Sequence, residues 1–222
     1  MTPSPAHPVE VAPARLPGWV ERFTASHGAV RWSVLVDEDG APDAWHAQAA
    51  DGSWARLEGW GRPEGDFAAD GAWVAPPGPL LVVLVRRGGY AVAVTSVEGR
   101  LVAHKVGTRH VQSRTAAGGW SQQRFARRRA NQADALADAV EGHARRILTE
   151  GEAALGEQVG ALLVGGDPRL CDQVMDALAA GPLERLNRIP RRELRDLPDP
   201  RRTVLDDAVR RALSVRVLVQ NA

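Results

Sequence analysis

The sequence predicts a mixed α/β fold in which an antiparallel meander is followed by a helix, a strand, two helices and a last strand. Two patterns indicate this fold: three short apolar runs separated by glycine-containing turns, and directly after them a long stretch of helical periodicity. The chain has 222 residues, of which 44% are hydrophobic and 25% charged, as is typical of a soluble globular protein. This length allows a sizeable core without disulfides, so we expect helices packed on a mixed sheet.

The first third of the chain differs in composition from the rest. Residues 1–17 contain five prolines, which predict a flexible leader. Residues 18–75 contain six of the seven tryptophans and predict a Trp-rich N-terminal extension or subdomain. Its pattern predicts a helix at 19–26, a strand at 29–36 and a strand pair at 45–57 around an Asp51-Gly52 turn. The tryptophans could stack bases, but a small core built from large side chains is the favoured interpretation.

Residues 76–222 are expected to form the second, larger domain, after a Gly- and Pro-rich linker or long turn at 70–79. The three meander strands are expected at Leu80–Val85, Tyr90–Thr95 and Arg100–Val106, and a long helix at Ser121–Leu148. The remaining pattern predicts, in order, a strand at Ala161–Val164, a helix at Asp167–Ala179, a basic connector, a helix at Thr203–Leu213 and a strand at Ser214–Val219.

The charges are unevenly spread although their sum is small. The chain has 28 basic and 27 acidic residues, a net charge of +1. No acidic residue occurs from Gly99 to Ala133, and that segment carries eight cations, Arg100, Lys105, Arg109, Arg114, Arg124, Arg127, Arg128 and Arg129. The segment is therefore +8 and the remainder −7. Such a block favours a polyanionic partner such as RNA, against the alternative of a solvated basic helix behind a loose loop.

Several other classes of site are not supported by the sequence. The single cysteine, Cys171, excludes an intramolecular disulfide and a cysteine-built zinc site, and the six histidines show no metal-ligand spacing. Gly165-Gly166-Asp167 lacks the dinucleotide and nucleotide-loop fingerprints, which favours a plain strand-to-helix turn. No metal or organic cofactor is therefore expected. The absence of a signal-peptide pattern or long apolar run predicts a cytoplasmic protein with no membrane partner.

The segment between the third meander strand and the long helix has the features of a ligand-binding loop. Gly118-Gly119 lets the backbone bend and approach a ligand closely, and Ser121 is a suitable N-cap for the following helix. Three arginines, Arg124, Arg127 and Arg128, fall mostly off the apolar stripe of that helix. Arginines and free helix N-terminal amides both bind phosphates, so this segment favours phosphodiester groups as ligands.

The same segment resembles a known family. Gly118-Gly119-Trp120-Ser121-Gln122-Gln123-Arg124-Phe125-Ala126-Arg127-Arg128-Arg129 is similar to the loop and helix of the archaeo-eukaryotic class-1 peptide-chain release factors, where Gly-Gly-Gln-Ser precedes an Arg-Phe-Ala-Arg-x-Arg run. The resemblance covers residues 80–219 and leaves out the Trp-rich third. It implies the α/β fold of the catalytic middle domain of that family and hydrolysis of the peptidyl-tRNA ester.

One position departs from the main family, because Trp120 follows the glycines where the family has glutamine. A bacterial, actinobacterial-type branch, akin to the release-factor domain of ribosome quality-control proteins, has a Gly-x-x-Gln loop, which Gly119-Trp120-Ser121-Gln122 fits. The resemblance thus implies Gln122 as the catalytic residue, with Gly118 and Gly119 beside it and Gln123 as the alternative. RNA contacts are expected from Lys105, Arg109, Arg114, Arg124, Arg127 and Arg128.

The implied partners are the large ribosomal subunit, ribosomal RNA and peptidyl-tRNA, bound by a monomer. Two other functions stay open from the sequence. The first is a non-catalytic ribosome- or RNA-binding module, which Trp120 would allow. The second is a tRNA nuclease that uses a metal ion or a 2′-hydroxyl activated by His104 or His110. The basic residues between 185 and 202 could form a second RNA contact, but a solvated connector is the favoured interpretation.

Overall fold

The computed structural model describes residues 5–108 and 121–222, and it describes side chains for these residues except 121–130. The described chain divides into two compact units, one formed by residues 1–77 and 213–222 and the other by residues 78–212. Each unit contains one five-stranded sheet. The mixed α/β class predicted from the sequence is confirmed.

The first unit is an antiparallel sheet with one helix. Its strands lie in the order β1-β10-β4-β3-β2. The elements are β1 (His7–Val11), α1 (Leu16–His27), β2 (Val30–Val36), β3 (Pro42–Ala49), β4 (Trp54–Glu58) and β10 (Val215–Gln220), with a 3-10 turn at Pro13–Arg15 before α1. The helix, β2 and the β3–β4 pair agree with the sequence prediction. Gly52 has a φ of 95° in the β3–β4 turn, a backbone conformation that favours glycine.

Large aromatic side chains build the core of this unit. Trp45 and Trp73 are buried, and their ring centroids lie 6.5 Å apart in an edge-on arrangement. Trp32 stacks on Phe67 with a centroid distance of 3.4 Å. Aromatic rings bury much surface per residue, which lets a small sheet acquire a core. The arrangement agrees with the interpretation of these tryptophans as core residues.

One prediction for this region is wrong, and the structure favours one alternative of another. Residues 1–17 were expected to form a flexible leader, but β1 lies within them and pairs with β10, where Val9 faces Val217. Residues 70–79 were expected to be a linker or a long turn, and the structure favours the turn, because Trp73 and Val74 are buried. The Trp73 carbonyl accepts hydrogen bonds from the amides of Trp60 (2.7 Å) and Gly61 (2.9 Å). Proline excludes helix and central strand, yet it permits an edge strand such as β1.

The second unit has a mixed sheet in the order β7-β6-β5-β8-β9. The meander β5 (Leu80–Arg86), β6 (Gly89–Thr95) and β7 (Leu101–Thr108) is antiparallel, as expected, while β8 (Ala161–Gly166) and β9 (Arg191–Leu194) run parallel to β5. Strand β7 is one edge of the sheet. Every residue of β6 is buried, because the sheet is covered on both faces.

Helices α2 (Ser121–Leu155) and α3 (Pro168–Leu178) cover one face of this sheet. Their buried residues form one core with Leu81, Val83 and Val92 of the strands. Helix α4 (Arg202–Leu213) contacts the residues of the opposite face. Its Arg202 lies 3.0 Å from His104 of β7, and its Ala212 carbonyl accepts a hydrogen bond of 2.6 Å from Arg192 of β9.

The structure differs from the sequence prediction at three further elements. The last strand was expected to join the mixed sheet of the second domain, but β10 pairs with β1 and β4 in the first sheet. The basic connector contains a 3-10 turn (Gly181–Asn187) and the short strand β9, neither of which was predicted. Helix α2 extends to Leu155, past the expected end at Leu148, and ends where Gly156 has a φ of 67°. The domain boundaries at 17/18 and 75/76 stay predictions.

Candidate functional site

Strand β7 and helix α2 flank the segment that resembles the release-factor loop. The described part of β7 ends at Thr108, and α2 begins at Ser121. Six residues singled out from the sequence, Arg109, His110, Arg114, Gly118, Gly119 and Trp120, lie outside the described residues. Gln122, Gln123, Arg124, Arg127 and Arg128 lie in the first turns of α2, where the structure describes the helical backbone.

A stack of side chains joins the end of β7 to helix α2. Tyr90 of β6 faces Gly107 of β7 in the sheet, and any side chain at Gly107 would overlap the Tyr90 ring. On the same ring lies His143 of α2, with a centroid distance of 5.2 Å and an interplanar angle of 16°. Tyr90 thus contacts both elements that lead into residues 109–120. No pattern in the sequence predicted this contact, although Tyr90 is the single tyrosine of the chain.

Helix α2 is long enough to extend well past this stack. Ser121 lies 22 residues before His143, which is about 33 Å along an α-helix axis. From Leu136 the helix contributes buried side chains to the core, including Val140, Ala144 and Ile147. The arginines of the predicted loop therefore lie on the turns of α2 that precede this packed part, on a backbone that is continuous with it.

Two residues of β7 that were singled out from the sequence, Lys105 and His104, lie on opposite faces of the sheet. Lys105 faces Val92, on the face that α2 covers, and is exposed. His104 faces Ala93 on the other face, and its Nε2 lies 3.0 Å from Nη1 of Arg202. Arg202 also donates a hydrogen bond of 3.0 Å to Asp206. Lys105 is thus exposed three residues before the described end of β7, whereas His104 is engaged by α4.

The turn between β8 and α3 is held by its own side chains. Asp167 Oδ1 accepts hydrogen bonds from the amides of Arg169 (3.1 Å) and Leu170 (3.4 Å), so the helix N-terminus is capped internally. Gly166 has a φ of 113°, and a side chain there would overlap the Val85 carbonyl. This geometry favours the structural interpretation of Gly165-Gly166-Asp167 over a phosphate site.

Cys171 lies in the first turns of α3 and is buried. Its Sγ donates a hydrogen bond of 3.2 Å to the Gly165 carbonyl. Burial raises the pKa of the Cys171 thiol to about 11, because the thiolate would lose its hydration. The thiol therefore stays protonated at neutral pH and is a packing residue instead of a nucleophile.

Most arginines of the basic connector are occupied by contacts within the protein. Arg185 donates a hydrogen bond of 3.3 Å to the Val159 carbonyl and pairs with Glu152. Arg192 is only 6% exposed. Ion pairs to acidic side chains are also made by Arg188, Arg191, Arg195 and Arg202. These pairs favour the structural interpretation of the connector over a second RNA contact.

The described residues contain neither a metal-ligand cluster nor a helix that could span a membrane. Within residues 5–108 and 121–222, no group of three His, Cys, Asp or Glu side chains lies close enough together to hold a metal ion. None of the helices in the described part of the chain is long and apolar enough to cross a bilayer.

Comparison with known families assigns the chain to the release factors. The matching family model is acVLRF1, described as the Actinobacteria/chloroflexi VLRF1 release factor, and it matches residues 78–218. This range is well over half of the chain and includes β7, α2 and the segment between them. The chain therefore belongs to the acVLRF1 family, and the resemblance found in the sequence is confirmed. No curated protein matches the chain in a sequence comparison.

Proposed function

We propose that this protein is a cytoplasmic peptidyl-tRNA hydrolase that frees nascent chains from stalled ribosomes or from large subunits with a blocked nascent chain. The observation that carries the proposal is the Gly118–Arg129 sequence, which follows an edge strand and ends within a long helix, inside the range matched by a release-factor family. Its substrate is the ester that joins the nascent peptide to tRNA.

Gln122 is the residue we propose to act at the ester. A glutamine amide does not titrate near neutral pH, so it cannot take a proton as a general base. Its contribution is placement: the amide orients the attacking water beside the ester carbonyl, and a backbone N–H of the loop faces the developing oxyanion. Gly118 and Gly119 carry no side chains and let the loop approach the ester closely.

The arginines around the loop are proposed to hold RNA phosphates. Residues 99–133 carry no acidic side chain, so their cations have no counter-charge in the same segment. Arg124, Arg127 and Arg128 lie on the same helix as Gln122, within its first two turns. Phosphate contacts made there would orient α2 and thereby place the catalytic amide, while the peptidyl-transferase centre supplies the rest of the site. Lys105 is exposed on the neighbouring strand and joins this surface.

The experiment that tests the proposal is a peptide-release assay on a purified complex of large subunit, tRNA and nascent chain. Gln122→Ala is expected to lower the release rate by at least about a hundredfold, since placement of the attacking group provides that much or more. Ribosome co-sedimentation of the variant should match that of the wild type. Gln123→Ala serves as the neighbouring control and should release peptide at nearly the wild-type rate.

A second candidate function is a ribosome-binding module without hydrolysis. The specific observation in its favour is Trp120, which occupies the position directly after the glycines. This function predicts that the wild-type protein binds the complex and releases no peptide. If Gln122→Ala and Gln123→Ala both release peptide at the wild-type rate, the proposed catalytic role of the glutamines is wrong.

A further inference from the structure

The first unit has an exposed apolar sheet edge. Strand β2 is the outermost strand of its sheet and pairs with β3 on one side. Among the residues that the structure describes, three large hydrophobic side chains are exposed, and two of them lie on β2: Val34 (37%) and Val36 (60%). The unpaired backbone groups of an edge strand can hydrogen-bond an added strand.

An apolar surface lies beside this edge on the core face of the sheet. Trp32 and Val34 alternate along β2 and pair with the buried Ala47 and Trp45, so they point to the core face, and Val36 follows a register shift after Leu35. Trp32 is half-buried and stacks on Phe67, with the rings parallel within 1°. A strand added to β2 would place every second side chain next to Trp32 and Val34.

Acidic side chains surround the same edge. Asp37 Oδ1 accepts hydrogen bonds from the amides of Asp39 (3.1 Å) and Ala41 (2.8 Å), which fixes the turn that follows β2. Glu38 and Asp39 are exposed in this turn. Asp66 is also exposed and directly precedes Phe67 in the chain. The edge therefore has carboxylates at its C-terminal end and beside its aromatic surface.

The net charge of the whole first unit indicates which kind of partner could bind to the edge of β2. Residues 1–77 and 213–222 contain six basic and eleven acidic side chains, a net charge of −5. This charge repels nucleic acid, and it also disfavours a second copy of the same unit, whose acidic groups would approach these. A basic polypeptide would be attracted to the edge. If it were extended, its backbone could also form hydrogen bonds with the unpaired amide and carbonyl groups of β2.

We propose that the outer edge of β2 is a docking site for an extended, basic segment of a partner protein, which adds a strand to this sheet. Its apolar side chains pack on Trp32 and Val34, and its lysine or arginine side chains pair with Glu38, Asp39 and Asp66. The inference concerns the first unit and holds whether or not the protein hydrolyses peptidyl-tRNA.

The test uses the full chain and three fluorescein-labelled synthetic peptides. One alternates valine with lysine, the second has glutamate in place of lysine, and the third is the lysine peptide with N-methyl groups on alternate amides. Fluorescence anisotropy should show binding of the lysine peptide and, for the other two, affinities lower by at least about tenfold. Amide chemical-shift changes on adding the lysine peptide should concentrate at Val30–Val36.

Protein variants separate the parts of the site. Val34→Lys places a charge on the apolar surface and should lower the affinity for the lysine peptide by about tenfold or more. Glu38→Gln combined with Asp39→Asn should lower it severalfold. Glu10→Gln is the control, because Glu10 lies on β1 at the opposite edge of the same sheet. The four substitutions in these three variants alter exposed side chains, so the variants should keep the wild-type circular dichroism spectrum.

Two results would overturn the proposal. Equal affinity for the lysine and glutamate peptides would show that the carboxylates do not recognise the segment. A concentration-dependent dimer of the chain alone, abolished by Val34→Lys in light scattering, would show that the occupant of the edge is a second copy.

Discussion

Tyr90 connects the strand before the predicted loop with the helix after it. Its ring lies against Gly107 of β7 on one side and His143 of α2 on the other. Aromatic pairs of this kind are worth about 0.5–1.5 kcal/mol beyond the area they bury. The same contact fixes β7 against α2, so we expect it to affect the placement of the first turns of α2 as well as stability.

Tyr90→Leu should therefore lower the rate of peptide release more than it lowers ribosome binding. We expect a fall in kcat of about tenfold with KM within about twofold, because small displacements of a placed group have large effects on rate. Tyr90→Phe keeps the ring and should behave like the wild type. A loss in Tyr90→Phe equal to that in Tyr90→Leu would contradict a positioning role for the ring.

Gly107 and Cys171 show how single residues acquire a role from their neighbours. A side chain at Gly107 would meet the Tyr90 ring, so the glycine permits the stack. Cys171 is the only thiol of the chain. Burial raises its pKa, and the protonated thiol is unreactive. The sequence alone does not predict these roles, because the residues that contact Gly107 and Cys171 are distant from them along the chain.

At the scale of elements, α2 is the structure that carries the candidate site. It has 35 residues and is anchored on β6 through close contacts at its C-terminal part. At Gly151 the helix approaches β6 so closely that a side chain would overlap Val94. At Gly142, on the same helix, a side chain would meet open space.

These two glycines predict opposite effects of the same substitution. Gly151→Ala should destabilise the protein by about 1–3 kcal/mol, because overpacking against Val94 outweighs the better helix propensity of alanine. Gly142→Ala should stabilise it by about 0.5–1 kcal/mol, since the new methyl group meets no neighbour and only the better helix propensity of alanine contributes. Urea unfolding followed by circular dichroism measures both changes. Equal shifts of the unfolding midpoint in the two variants would contradict the close packing at Gly151.

At the scale of the whole molecule, charge is divided between the two units. The first unit carries −5, while residues 78–212 contain 22 basic and 16 acidic side chains, a net charge of +6. The net charge of +1 conceals this division. The division places the RNA-binding candidate in the second unit and the proposed protein-docking edge in the first.

RNA binding by the second unit should depend steeply on salt. Each phosphate contact contributes about 0.7–0.9 log units of affinity per log unit of salt. Replacing Arg127 and Arg128 by glutamine should therefore reduce the slope by about one to two, measured by filter binding to large subunits between low and physiological salt. Arg145→Gln is the control on the same helix, because Arg145 pairs with Glu141 at its Nε (2.9 Å). An unchanged salt slope in the Arg127 and Arg128 variant would show that these residues do not contact RNA phosphates.

Local patterns allowed much of the second unit to be predicted from the sequence. The meander follows from apolar runs separated by Gly-containing turns, and α2 follows from a stripe of apolar residues at helical spacing. Strand β9 was not predicted because its Arg191-Arg192-Glu193-Leu194 sequence is mostly charged. It becomes a strand because β8 offers a parallel edge and Arg192 finds a buried partner in the Ala212 carbonyl.

The class of the fold, the Gly118–Arg129 motif and the family could all be predicted from the sequence, since each depends on residues close together in the chain. Three features became known from the structure alone: β1 and β10 form part of the first sheet, Tyr90 joins β7 to α2, and β2 is an exposed edge. Each of these depends on strand partners or ring contacts between residues distant in sequence. An apolar run predicts a strand but does not specify which strand it will pair with.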